Sequence, residues 1–583
     1  MFGDSFPALA GFSWTPRVFA CPGVHGFSIV TTIYHESAPL QEFETMSLQN
    51  GRYTGSSPSL ASGWTWKRLT QPSRLFGANG IRTGADGRIY VAQVSGSQIS
   101  AIDVTTGAVE AISPKGGDIV APDDLVFDDQ GNLYATEITE GRVSARAPNG
   151  TTRVICEGLP SANPIAFHQG RLYAGECRIN GRIMELNLNG GAPRVLLENV
   201  PMPNAMEVGP DGKLYFPVMA TNEIWRVDLR GGKPETVAKD LGVPDAVKFD
   251  SKGFIVSTQV ASGQVLRIDP RNGERSVLAN IAPGLDNLTF VGERLFVSSI
   301  SGQVNEILPG GKLRSLVPDG FNWPLGLAMG ADGVLLVADG PYSYALQPGN
   351  TPARGYLPLQ VAGMLFTPGY PGYSRGVAAS GPGEFMVTTG AGVVARYRPA
   401  KGESEILAQG FDQLYGVAVA PGGAVVFAEL GTGRVLSVES GNVAELATGL
   451  KQPTGVAIGS DGTCLVSETG AGRVVKLHAG RAETVLDGLK RPQGLLLRNG
   501  LLYVVDADAK ELVEYNIGNG ARRAIATGLP VGAPAGVTPK FLRGIEGFCG
   551  PMGPFAGITA GPDGTLYVSG DAEGSVLALN PSL

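Results

Sequence analysis

Residues 202–217 read MPNAMEVGPDGKLYFP. An alternating apolar stretch runs into a Pro-Asp-Gly turn, and a second apolar stretch leaves it. Period-2 alternation on both sides of a turn is the pattern of a β-hairpin with one buried face. The same phrase recurs on either side. Its nearest copies are GANGIRTGADGRIYVA (77–92), APDDLVFDDQGNLYAT (121–136), SANPIAFHQGRLYAG (161–175), VPDAVKFDSKGFIVST (243–258) and GLDNLTFVGERLFVS (284–298). Six further copies follow, beginning with WPLGLAMGADGVLLVA (323–338) and ending with PFAGITAGPDGTLYVS (554–569). A period of about 40 residues with strands and Gly-containing turns marks propeller blades. The sequence therefore predicts an all-β chain with two six-bladed β-propellers in tandem.

The innermost strand of each blade lines a central channel. Aligned on their apolar pairs, the first six copies place Asn79, Asp123, Asn163, Asn204, Asp245 and Asp286 at one equivalent position. Six oxygen-bearing side chains on one axis suit a hard cation. The second six copies carry Leu325, Arg375, Tyr415, Thr454, Gln493 and Ala556 there. A blade thus folds without Asn or Asp at this place, which argues against a purely turn-making role in the first six.

Each unit reads as four strands. The chain stops on a third strand, GSVLALNPSL, and the sixth unit stops at GQVNEIL. Two unassigned strands, TWKRLT near Trp66 and KLRSLV near Leu313, are expected to complete the last blade of the first and second propeller respectively. The expected divisions are an N-terminal extension over 1–62, partly disordered, a first propeller over 63–311 with a polar metal-binding channel, and a second over 312–583 without a polar ring. Met1 to Thr45 match no blade, and Met46 offers an alternative start. Two Gly-, Pro- and aromatic-rich segments, about 340–373 and 530–553, read as insertions, expected either to serve as lids or binding loops or to pack between the wheels or cover a channel mouth.

The chain has 583 residues, a formal net charge of −7 and 84 glycines. That charge gives no basic face, so nucleic acid is not an expected partner. No run of 18 apolar residues spans a membrane, and no secretory leader is apparent. The five cysteines show no paired spacing, which points to reduced thiols and a cytoplasmic location. With only four histidines, a His-based triad or His-rich metal site is not expected.

The first propeller, roughly residues 70–310, resembles the senescence marker protein/gluconolactonase/regucalcin family of six-bladed propellers, and the second half resembles NHL-repeat propellers. The former resemblance implies one divalent cation (Ca, Mg, Mn or Zn) held by blades one, three, four and five. The matching residues are Asn79, Asn163, Asn204 and Asp245, spaced 84, 41 and 41 residues apart. Asn79 stands where the family has Glu, removing one negative charge that Asp123 or Asp286 could restore. Ser161 replaces the family's substrate-orienting Arg, which puts sugar-lactone specificity in doubt. The implied activity is metal-dependent hydrolysis of a small lactone or related ester, with Asp245 as general base and Asp286 or Asp123 as substitutes. Glu137 and Glu176, at equivalent strand ends, are expected either to rim the channel and contact substrate or to bond a neighbouring loop. A non-catalytic interaction platform with a structural ion, and an isomerase or lyase using the same ion, remain alternatives. A homo-oligomer is left open.

Overall fold

The computed structural model describes residues 52, 57–350, 355–545 and 548–582. Among them are twelve antiparallel sheets, eleven of four strands and one of five, and no α-helix. Each hairpin turns where the sequence marks it. In the fourth sheet Asp211 Oδ1 accepts from Lys213 N–H at 3.1 Å, and Gly212 takes φ +74°. The aspartate satisfies a turn amide, while glycine supplies the left-handed residue at no steric cost.

Adjacent sheets pack face to face, so the core is divided among them. Val126 and Tyr134 of the second sheet, for example, bury against Ile165, Leu172 and Ala174 of the third. Near the axis, backbone and hydroxyl groups stitch neighbouring innermost strands together. Gly80 N–H donates to Asp123 O at 2.7 Å, and Thr136 Oγ1 donates to Asn163 O at 2.8 Å. The sixth sheet then returns to the first, with Ser298 Oγ donating to Asn79 O at 2.8 Å. In the second half, Gly326 N–H donates to Arg375 O at 2.8 Å, Gly494 N–H to Ala556 O at 3.1 Å, and Gly557 N–H back to Leu325 O at 3.3 Å. The sheets thus form two closed wheels, tandem propellers in which no innermost strand is left at an open end.

The closing strands differ from the expectation. Leu313–Val317 pairs with Val304–Ile307 in the sixth sheet. Trp64–Arg68 crosses to the last sheet and pairs with Ser575–Pro581, Trp66 opposite Leu579. The reason is chain economy. Only Leu308–Lys312 separates Ile307 from Leu313, so the local hairpin forms, and connections of this length join adjacent strands. The remaining edge is then covered by Trp66, which packs with Leu577 and Leu579, and by Arg68, whose Nε and Nη2 bond Glu573 at 2.7 and 2.9 Å. The first wheel is consequently inserted within the second, and the 62/63 and 311/312 divisions do not follow the strand pairing. The part of the 1–62 segment at 1–51 and 53–56 lies outside the described residues, as do Cys21, His25, His35 and Met46. Ser59–Leu60 adds a short edge strand beside Arg522–Thr527.

The segment at 340–373 is likewise less of an insertion than expected. Tyr342–Leu346 and Gln360–Gly363 are the third and fourth strands of the seventh sheet. Among the described residues, the stretches around them are loop, with one short 3₁₀ turn at Pro348–Asn350. No helix among the described residues is long and apolar enough to cross a membrane. Cys156, Cys177, Cys464 and Cys549 are free thiols.

Candidate active site

All six ring positions of the first wheel line one cavity of about 140 Å³. They sit at or just before the starts of the innermost strands, which aims their side chains at the channel mouth. Asp123, Asn163, Asn204 and Asp245 are buried, between 5 % and 7 % exposed. Asn79 Nδ2 donates to Asp286 Oδ2 at 3.2 Å, and Asn204 Nδ2 donates to Asp245 Oδ2 at 3.1 Å. The ring is thus bonded within itself, amide to carboxylate.

The second wheel closes the cavity from the opposite side. Tyr342 comes from the third strand of the seventh sheet, Met364, Leu365 and Tyr373 from the connection between the seventh and eighth sheets, and Ile545, Phe548, Cys549 and Met552 from the loop near 530–553. An ion pair between Arg543 and Glu140, 3.6 Å, ties that loop to the first wheel. The result is a polar floor of Asn and Asp under an apolar, aromatic roof.

Charge and burial conflict on this floor. Burial first, and then Asp124, push the Asp123 carboxyl up to about 7. Burial, Asp123 and Asp124 hold Asp245 well above the usual carboxylate range. Asp286 is raised by burial, Asp245 and Asp123, against a lowering bond from Asn79. The desolvated carboxylates repel each other, so each favours its protonated form. The Cys177 thiol, beside the same three acids, is pushed well up and stays protonated. Burial raises the Tyr342 phenol too, with Asp286 and Asp245 adding to it.

Three acidic and three amide side chains around one cavity are the donor chemistry of a hard divalent ion. Asn204 Oδ1 accepts from Ala205 N–H at 2.7 Å, yet a carbonyl oxygen keeps a second lone pair for an ion. The carboxylates alone do not make a site: among the described residues no three His, Cys, Asp or Glu side chains are grouped closely enough to hold a metal. Any ligand set would have to draw on amide oxygens as well as carboxylates, and Asn79, Asn163 and Asn204 are the amides that line the cavity.

Glu137 and Glu176 lie elsewhere. Both are fully buried and neither reaches the cavity. Glu137 Oε2 accepts from Val120 N–H and Arg142 Nη2, each at 2.7 Å. Glu176 is held by Arg178 at 3.3 Å and by Arg182. The substrate-contact expectation for this pair is corrected: Glu176 pairs with the Arg178 and Arg182 side chains and the Arg182 N–H that follow its strand, and Glu137 satisfies the loop entering its own blade. The device repeats in Gln93 with Phe76 N–H, Asp339 with Asn322 N–H and Glu468 with Lys451 N–H. Sequence reasoning missed Cys177, Met219, Asn322 and the roof tyrosines. For Tyr342 and Tyr373 the aromatic, Gly- and Pro-rich stretch was the available signal; for the others there was none.

Residues 67–301 match the family model described as SMP-30/Gluconolactonase/LRE-like region. That match covers most of the first wheel. The match begins in the strand lent to the second wheel and stops short of the sixth sheet's outermost strand. No curated protein matches the chain. Solved structures similar to it include a streptogramin B lyase, 18 % identical with a TM-score of 0.36, covering 47 % of this chain and 94 % of that one. A virginiamycin B lyase from Staphylococcus aureus is 16 % identical with a TM-score of 0.35, covering 47 % and 95 %.

Proposed function

We propose that the cavity is the active site of a metal-dependent hydrolase acting on a small lactone or related ester. The observation that supports this most is the convergence of all six ring residues on one covered cavity. Asn79, Asn163, Asn204 and Asp245 would hold a divalent cation. When bound, that ion polarises an ester carbonyl and makes water more acidic.

The remaining steps belong to the chain. Asp286 and Asp123 lie in the same cavity, Asp286 held well above the usual carboxylate range and Asp123 pushed up to about 7, and a general base works best near the operating pH. One of them takes the proton of the attacking water, with Asp245 sharing that part. Tyr342, held protonated, is placed to donate to the departing oxygen. The apolar roof excludes bulk water and selects a compact substrate with an aliphatic or aromatic substituent rather than a polyhydroxy one. The absence of an Arg at Ser161 agrees with that preference. Four free thiols suit a cytoplasmic location.

The test is a screen of aliphatic, aromatic and sugar lactones with Ca²⁺, Mg²⁺, Mn²⁺ and Zn²⁺, using the wild type and Asp245→Ala. Hydrolysis that needs an added ion and disappears in the variant supports the reading. Ion binding without turnover of any ester would favour a structural ion in a non-catalytic platform.

A further inference from the structure

The second wheel carries at its centre a group that the first does not explain. Arg375 occupies, in the eighth sheet, the position that Asn and Asp occupy in the ring. Its side chain is completely buried. Nε, Nη1 and Nη2 are all shielded from solvent, and none donates to a protein acceptor. Against it lies Tyr415, the matching residue of the next sheet, whose ring centroid is 4.6 Å from the guanidinium carbon.

A guanidinium cannot shed its proton to escape burial. A buried charge needs an opposite charge and hydrogen-bond partners. The tyrosine face supplies some attraction through its π-system but accepts none of the in-plane N–H groups. The other residues at this level of the channel are Leu325, Thr454, Gln493 and Ala556, and none is acidic. On one side the cation faces a glycine rather than a side chain: a Cβ on Gly390 would meet Tyr373 Cδ1 at 3.5 Å, Nε at 3.6 Å and Nη2 at 3.7 Å, all ordinary contacts. Gln493 places its amide oxygen on Ala556 N–H at 2.7 Å and accepts from none of the Arg375 nitrogens.

We infer that the second wheel binds a small monovalent anion on its axis, in the plane of the Arg375 guanidinium. The ligand has the size of a halide, nitrate or short carboxylate. The two wheels then use one structural position for opposite purposes, oxygens for a cation in the first and a guanidinium for an anion in the second. This inference does not depend on the hydrolase reading.

The experiment is thermal unfolding of the full chain at constant ionic strength. Chloride, bromide, nitrate or acetate replaces the bulkier methanesulfonate. The inference predicts a Tm that climbs with the logarithm of the small-anion concentration, as ligand binding to the native state requires, and no such climb in Arg375→Met. A response to chloride and bromide alone identifies an inorganic anion; a response to acetate alone identifies a carboxylate. If Arg375→Met does not fold, Arg375→Gln takes its place, and bromide-soaked wild-type crystals should give an anomalous peak beside the guanidinium. A wild-type response equal to that in methanesulfonate, an equal response in the folded variant, or water in place of bromide would overturn the inference.

Discussion

Asp245 is the residue on which the site turns. It accepts from Asn204 and lies under the field of Asp123 and Asp124. Asp245→Asn keeps the shape and removes one buried charge. The expected outcome is loss of bound metal and a fall in turnover of about a hundredfold or more. Thermal stability in chelator should be unchanged or higher, since a repelling carboxylate is gone. Calorimetry alongside metal analysis checks both. The pH dependence has a definite sign. Asp123 titrates about 7 in the fold, against about 3.9 unfolded, so the native protein holds the extra proton. Without metal, stability should fall as pH rises from about 4 to 7. A cation reverses the trend, because it binds the deprotonated ring. Its stabilising effect should therefore be larger at pH 8 than at pH 5, and Tm differences with and without Ca²⁺ would measure it. Glu137→Gln provides a contrast. It weakens a buried pair with Arg142 and should cost about 1–3 kcal/mol of stability while leaving kcat unchanged in the folded fraction.

At the scale of elements, closure of the second wheel rests on a strand from the other end of the described chain. Trp66 is half-buried against Leu577 and Leu579. Trp66→Ala should destabilise the protein by ~2 kcal/mol, less than a fully buried aromatic, and urea unfolding reads this directly. Removing residues up to 68 should expose the Ser575–Pro581 edge and promote association, visible by light scattering. This element also marks where sequence reading stops. The repeat phrases determine every hairpin, because alternation and turn chemistry are local. Which wheel receives Trp64–Arg68 is not local. Its alternation suits either edge, and the choice is made by the short 308–312 connection that gives the first wheel its own last strand. Glu137 shows the same limit: periodicity placed it at a strand end, but only tertiary structure turned it onto Val120 N–H and away from the channel.

For the whole molecule, the arrangement of the wheels makes the cavity. The ring was legible in the sequence because blades repeat at about 40 residues, so equivalent letters become neighbours on an axis. The roof was not, because Met364, Phe548 and Met552 come from stretches without period. Neither wheel alone provides both the polar floor and the apolar cover. One divalent ion on the floor is the proposal on which the site depends, and its direct check is metal content of the purified protein by elemental mass spectrometry, beside an Asn204→Ala/Asp245→Ala variant. About one divalent ion per chain is expected in the wild type and none in the variant, with the fold retained by circular dichroism. No ion in the wild type, even after incubation with Ca²⁺, Mg²⁺, Mn²⁺ and Zn²⁺, would contradict it.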